Sequence, residues 1–135
     1  MPESPPINRL TGAIIHSAMK VHSALGPCLL ESAYEACLLH ELRRQNFAVA
    51  SQVTLPVLYD GVTIDLGYRI DLLVENVVIL ELKCVERVHP IHQAQLLSHL
   101  KLSGKSVGLL INFHVTHLRD GIQRFVNGTG WTKAA

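Results

Sequence analysis

The segment Gly67-Tyr68-Arg69-Ile70-Asp71-Leu72-Leu73-Val74-Glu75-Asn76-Val77-Val78-Ile79-Leu80-Glu81-Leu82-Lys83 decides how this chain is read. Its apolar residues alternate on either side of Glu75-Asn76, the pattern of two strands joined by a tight turn. One face carries Tyr68, Ile70, Leu72, Val74, Val78, Leu80 and Leu82 and is expected to be the core face. The other carries Arg69, Asp71, Leu73, Ile79, Glu81 and Lys83. With the turn centred on Asn76, Asp71 falls opposite Glu81 and Arg69 opposite Lys83, within one residue of register. Both carboxylates are then expected on one face, with Cβ atoms roughly 5 Å apart and Lys83 next in line.

Two carboxylates so placed repel each other, which invites a shared proton or a cation. Oxygen ligands with positions to spare for water and phosphate describe Mg²⁺. A cation that acidifies water, with Lys83 to orient that water or offset phosphate charge, fits metal-assisted hydrolysis of a phosphodiester. The competing reading is an ion-pair network of Asp71 and Glu81 with Arg69 and Lys83, since Asp-x9-Glu-x-Lys alone is a weak pattern.

Outward from this hairpin, the N-terminal part reads as two helices. Leu10, Ile14, Ala18, Val21 and Leu25 recur at helical steps, predicting a helix over about 7–24 that stops at Gly26-Pro27. A second helix, about 29–46, carries Leu30, Tyr34, Cys37, Leu38 and Leu42 on one face. Extended spacing follows at Val49, Val53, Leu55 and Val57, and Asp60-Gly61 predicts a turn into a strand over 62–74. A third strand covers 77–83. Pro90 opens a helix to about 102, and the apolar run 106–113 reads as a strand covered on both faces. A last short helix is expected over 118–126. The whole is an α/β fold with a mixed sheet flanked by helices.

Length and composition bound the function classes. The 135 residues, 48% hydrophobic and 17% charged, suit one domain with a real core over 7–128, between tails at 1–6 and 129–135. No apolar run is long enough for a membrane span, and the first six residues lack the basic start and apolar stretch of a signal peptide. Cys28, Cys37 and Cys84 are odd in number and show no CxxC spacing, so reduced thiols and a cytoplasmic location are expected. Net charge is only +1, but residues 1–76 carry −3 and residues 77–135 carry +4. A basic C-terminal half could follow a phosphate backbone, or be an ordinary solvated surface.

Asp71 with Glu81-Leu82-Lys83, in an αβββαβ order, resembles the PD-(D/E)XK nuclease superfamily with its restriction-endonuclease-like core. More narrowly, the chain is similar to the small bacterial GxxExxY proteins of that superfamily. The matching segments include Leu29-Leu30-Glu31-Ser32-Ala33-Tyr34, Gly67 to Asp71, Gln93-Ala94-Gln95-Leu96-Leu97, Gly108 to Phe113 and Gly121-Ile122-Gln123-Arg124, and extend over about residues 9–128. The resemblance implies that Asp71, Glu81 and the Leu82 carbonyl hold Mg²⁺ or Mn²⁺, with Lys83 catalytic. It also implies that Glu31 adds a carboxylate and that Gln95 is the glutamine of the helix after the Glu-x-Lys strand. Two positions depart from the pattern. The glycine that opens the GxxExxY signature is Cys28 here, and His99 stands where many relatives have tyrosine.

Read without the resemblance, Glu31 is a first-turn acid favoured by the helix dipole. His92, Gln95 and His99 share one helical face, which either lines the site or is solvated. His89-x2-His92 and His114-x2-His117 lack the company a zinc site needs. Gly104-Lys105-Ser106 lacks the earlier glycine of a phosphate-binding loop. The expected activity is metal-dependent phosphodiester hydrolysis with DNA as substrate. A catalytically inactive binding or scaffolding module of the same fold, and an RNA-directed nuclease, are the alternatives. A domain with so few loops is expected to reach a duplex as a homodimer or with a partner protein.

Overall fold

The computed structural model describes residues 6–127 and 133–134. Two helices lead, α1 (Ile7–Leu25) and α2 (Glu31–Arg44). Strands β1 (Val49–Thr54), β2 (Val57–Tyr59), β3 (Val62–Ile64), β4 (Arg69–Val74) and β5 (Val78–Lys83) follow. Helix α3 (Pro90–Ser103) then crosses to β6 (Val107–Asn112), and a 3₁₀ turn (Leu118–Gly121) leads into β7 (Ile122–Val126) and β8 (Lys133–Ala134). The main sheet runs β1-β4-β5-β6-β7-β8, with β5 and β6 parallel and its other neighbours antiparallel. The parallel pair requires the α3 crossover. The mixed α/β sheet flanked by helices is the one expected, consistent with a restriction-endonuclease-like fold.

The central hairpin has the expected register: Leu72 pairs with Leu80, Leu73 with Ile79 and Val74 with Val78. Its turn works because Glu75 and Asn76 both take positive φ, 52° and 55°, matching the twist of the strands they join. Asp60-Gly61 also forms its turn, but between short strands. The single strand expected over 62–74 is interrupted, since Asp65 Oδ1 accepts the Gly67 N–H and Gly67 turns at φ 78°. Strands β2 and β3 therefore form a hairpin of their own outside the main sheet.

A second correction concerns 118–126, which is a 3₁₀ turn and a strand rather than a helix. Leu118, Ile122 and Phe125 sit at helical steps, yet Ile122 is buried among the α1–α2 core residues and Phe125 among those under α3. Residues three apart lie on opposite sides of a strand, so the same spacing suits a strand buried on both faces. The wholly buried β6 needs a neighbour on each edge, and β7 supplies the second.

The sheet separates two cores. Leu10, Ile14, Tyr34, Leu38, Leu72, Leu80 and Leu109 pack on the α1–α2 side, whereas Ile70, Leu73, Ile79, Leu96, Leu100, Leu110 and Phe125 pack on the α3 side. The face expected to carry only Arg69, Asp71, Glu81 and Lys83 around Leu73 and Ile79 is thus a core face too. All three cysteines are free thiols, and among the described residues no helix is long and apolar enough to cross a membrane. Apart from Pro6, the tail expected over 1–6 lies outside the described residues. Of that expected over 129–135, Lys133–Ala134 pair with β7 and the rest lies outside them.

Candidate active site

Asp71 sits where both of its strands lose regularity. The β1–β4 ladder pairs Ser51 with Leu72 and Val53 with Ile70, but the rung that would join Gln52 to Asp71 is absent. No residue is inserted, because the register is the same on both sides. Instead Gln52 adopts φ 53°, a left-handed conformation that costs a non-glycine residue about 1–2 kcal/mol. Both strands change faces at this point. Val49 packs with the α1–α2 core and Val53 with the α3 core, while Leu72 and Val74 belong to the former and Ile70 to the latter.

This rotation overturns the expectation that Asp71 and Glu81 point the same way. Asp71 lines a cleft of roughly 190 Å³ with Glu31, Ser32, Glu35, Gln52 and Leu82, beside α2. Its Oδ2 accepts the Leu82 N–H at 2.8 Å, just beyond the last paired rung of the β4–β5 ladder. Glu81 turns toward α3, where its Oε1 lies 2.7 Å from His99 Nδ1. It is only 7% exposed. Burial pushes the Glu81 carboxyl above its ordinary value, the bond to His99 opposes this, and Asp71 adds to the rise. Lys83 lies within electrostatic range and stabilises the ionised form. Each of Asp71 and Glu81 commits one oxygen to these bonds and keeps a second for a ligand.

Glu31 reaches the same end of the sheet. Its Oε1 accepts the Cys84 N–H at 3.2 Å, directly after Lys83. Cys28 does not prevent this approach, because Tyr34 fixes the entry to α2. The Tyr34 hydroxyl donates to Gly26 O and accepts from Leu29 N–H, while its ring stacks on Phe113 at 4.3 Å. The departure at His99 likewise has a structural role, as the partner of Glu81. On α3, His92 is near enough to Lys83 and Glu31 to feel both charges, although burial is the main cause of its lowered pKa. Gln95 is exposed on that helix, and it is Gln93 that bonds across to Gln123, at 2.9 Å.

Two cleft residues escaped sequence reading. Glu35 lies one turn beyond Glu31, and Gln52 Nε2 donates to its Oε1 at 2.9 Å. Burial raises the Glu35 pKa, and Asp71 and Glu31 raise it further against the bond from Gln52. The i, i+4 spacing of Glu31 and Glu35 was a signal for this pair, but no spacing rule foretold the left-handed Gln52.

Among the described residues, no three His, Cys, Asp or Glu side chains are already gathered as a metal cage. The donor chemistry does fit a hard divalent cation: carboxylate oxygens of Asp71, Glu31 and Glu81, with the Leu82 carbonyl in the same segment. Glu35 and Glu81 both carry raised pKa values to which a carboxylate neighbour contributes, a conflict that a cation relieves.

A family model described as the PD-(D/E)XK nuclease superfamily matches residues 8–125. No curated protein and no solved structure matches the chain significantly.

Proposed function

The chain belongs to the PD-(D/E)XK nuclease superfamily, and from that premise we propose that it is a metal-dependent nuclease acting on DNA, of the GxxExxY type. Superfamily members are usually nucleases, typically use divalent metals, and take nucleic acid as substrate. The observation that supports the reading is the cleft beside α2 lined by Asp71 and Glu31, with Glu81 and Lys83 next to it along β5.

Asp71, Glu81, Glu31 and the Leu82 carbonyl would hold Mg²⁺ or Mn²⁺. When bound, the cation supplies positive charge against phosphate oxygens and acidifies water. The protein's own contribution is to position groups. The Leu82 N–H fixes Asp71, and the Cys84 N–H fixes Glu31. His99 holds Glu81 from behind and favours its ionised form. Lys83 then offers its ammonium to a phosphate oxygen or to the attacking water. Gln95 joins the site by contact with substrate from the exposed side of α3.

Cleavage of labelled single-stranded DNA, duplex DNA and RNA with Mg²⁺, Mn²⁺ or EDTA tests this reading. Products from DNA that require metal and are lost in both Asp71→Ala and Lys83→Ala support it. Cleavage of RNA alone would redirect the substrate. Absence of products together with absence of calorimetric metal binding would leave a repurposed fold.

A further inference from the structure

Strand β5 ends at Lys83, opposite Asn112 in the last rung it shares with β6. The Lys83 carbonyl accepts the Phe113 N–H at 2.9 Å. Beyond that point the pairing goes on through a side chain. Asn112, only 3% exposed, accepts the Val85 N–H on Oδ1 at 3.0 Å and donates from Nδ2 to the Val85 carbonyl at 2.8 Å. Its Oδ1 also accepts the His114 N–H at 3.2 Å, so one orientation of the amide satisfies all three bonds. A side-chain amide carries the donor and acceptor of a peptide unit, and here it stands in for a further rung. Residues 83 and 85 are thus both tied to the end of β6.

We propose that Asn112 is a positioning residue that sets the spacing of Asp71 and Glu31. In an extended chain the backbone groups of successive residues point to opposite edges. With Lys83 and Val85 held toward β6, the N–H groups of Leu82 and Cys84 both point to the other edge. There Asp71 Oδ2 receives the first at 2.8 Å and Glu31 Oε1 the second at 3.2 Å. Two residues of strand separate these donors by about 7 Å, so the strand itself is the ruler between two carboxylates that line the cleft. The ruler holds as long as 83–85 stays extended, and Asn112 ties its far end. Asparagine suits the place closely. Aspartate would set a carboxylate oxygen against the Val85 carbonyl, and glutamine would add a methylene to a buried amide already bonded at both ends. The effect on metal binding rests on the nuclease reading, whereas the direction of the Cys84 N–H does not.

Two measurements test this, one of them free of metal. In amide spectra of the metal-free chain, Glu31→Gln should shift the Cys84 amide proton resonance, because it weakens the acceptor. In an Asn112→Ala or Asn112→Leu background the same substitution should shift it by less than half as much. In calorimetric titration with Mn²⁺, both Asn112 variants should bind at least tenfold more weakly than wild type, with circular dichroism unchanged. Leucine has the branched shape of asparagine without its hydrogen bonds, so a part in packing alone would spare that variant. Asn127→Ala is the control. Asn127 Nδ2 donates to the Leu100 and Lys105 carbonyls, each at 3.1 Å, at the other end of β6, and its loss should leave shift and affinity as in wild type. A resonance shift undiminished in the Asn112 backgrounds overturns the proposal. So does wild-type Mn²⁺ affinity in both Asn112 variants, or an equal loss in Asn127→Ala. A wild type that binds no Mn²⁺ overturns the metal site of the nuclease reading instead, and the resonance shift still decides the role of Asn112.

Discussion

The Glu81 carboxylate is where function and stability pull apart. Burial raises its pKa in the folded chain above the ordinary 4.5, so folding favours the protonated form. That contribution is fully present below pH 4.5 and is lost as the pH rises through the folded value. Glu81→Gln, which keeps an acceptor for His99, escapes the loss. It should melt at a higher temperature than wild type at pH 8, with the gap closing as pH falls toward 4.5, while metal binding falls. Thermal melts across that range check both the sign and the closing gap. The register that sets Asp71 across from Glu81 was legible because spacing across one turn is a local property of two strands. His99 as the partner of Glu81 was not, because that contact joins residues on α3 and β5 whose approach depends on packing against Leu96 and Leu100.

Among the elements, β1 and β4 hold the feature that sequence patterns hid. Strict alternation assigned Ile70 to the face of Leu72 and Asp71 to the face of Leu73. The rotation at Gln52 and Asp71 exchanges them, since Ile70 gains burial under α3 while Asp71 gains the Leu82 N–H and the α2 cleft. Period-two reasoning has no means of registering such an exchange. Gln52→Val, a β-branched residue forced into left-handed backbone, should lose about 1–2 kcal/mol in urea unfolding. Gln52→Gly relieves the conformation and should lose less, though it forfeits the bond to Glu35. If the nuclease reading holds, the valine variant should also lose more cleavage than the glycine variant.

Over the whole molecule, the sheet is a partition with a core on each side, and the order of its strands sets which groups can meet. The two N-terminal helices and the central hairpin were legible because each carries a consistent period and clear stop signals, and the α3 crossover because Pro90 marks its first turn. The end of the chain was not. There the choice between helix and strand rests on the open edge of β6, a demand that arises only once the sheet exists. Gly121 marks the cost of meeting it: a Cβ there would collide with the Asn112 backbone carbonyl oxygen and touch Val115. Gly121→Ala should therefore destabilise the fold by about 1–3 kcal/mol, measured by urea titration, by pushing β7 off β6.

The missing rung between Gln52 and Asp71 has a kinetic consequence. Strand β1 is an outer strand of the sheet, and at this rung it is held by side chains rather than by a backbone pair. Fraying should begin there, so β1 amides should exchange with solvent deuterium faster than those of β5 and β6, by opening that does not require global unfolding. Because Asp71 shares that rung, warming should loosen the carboxylate's setting before the two cores melt. Catalytic heat inactivation, if the chain cleaves DNA, would then precede the loss of helical signal, and reversibly so.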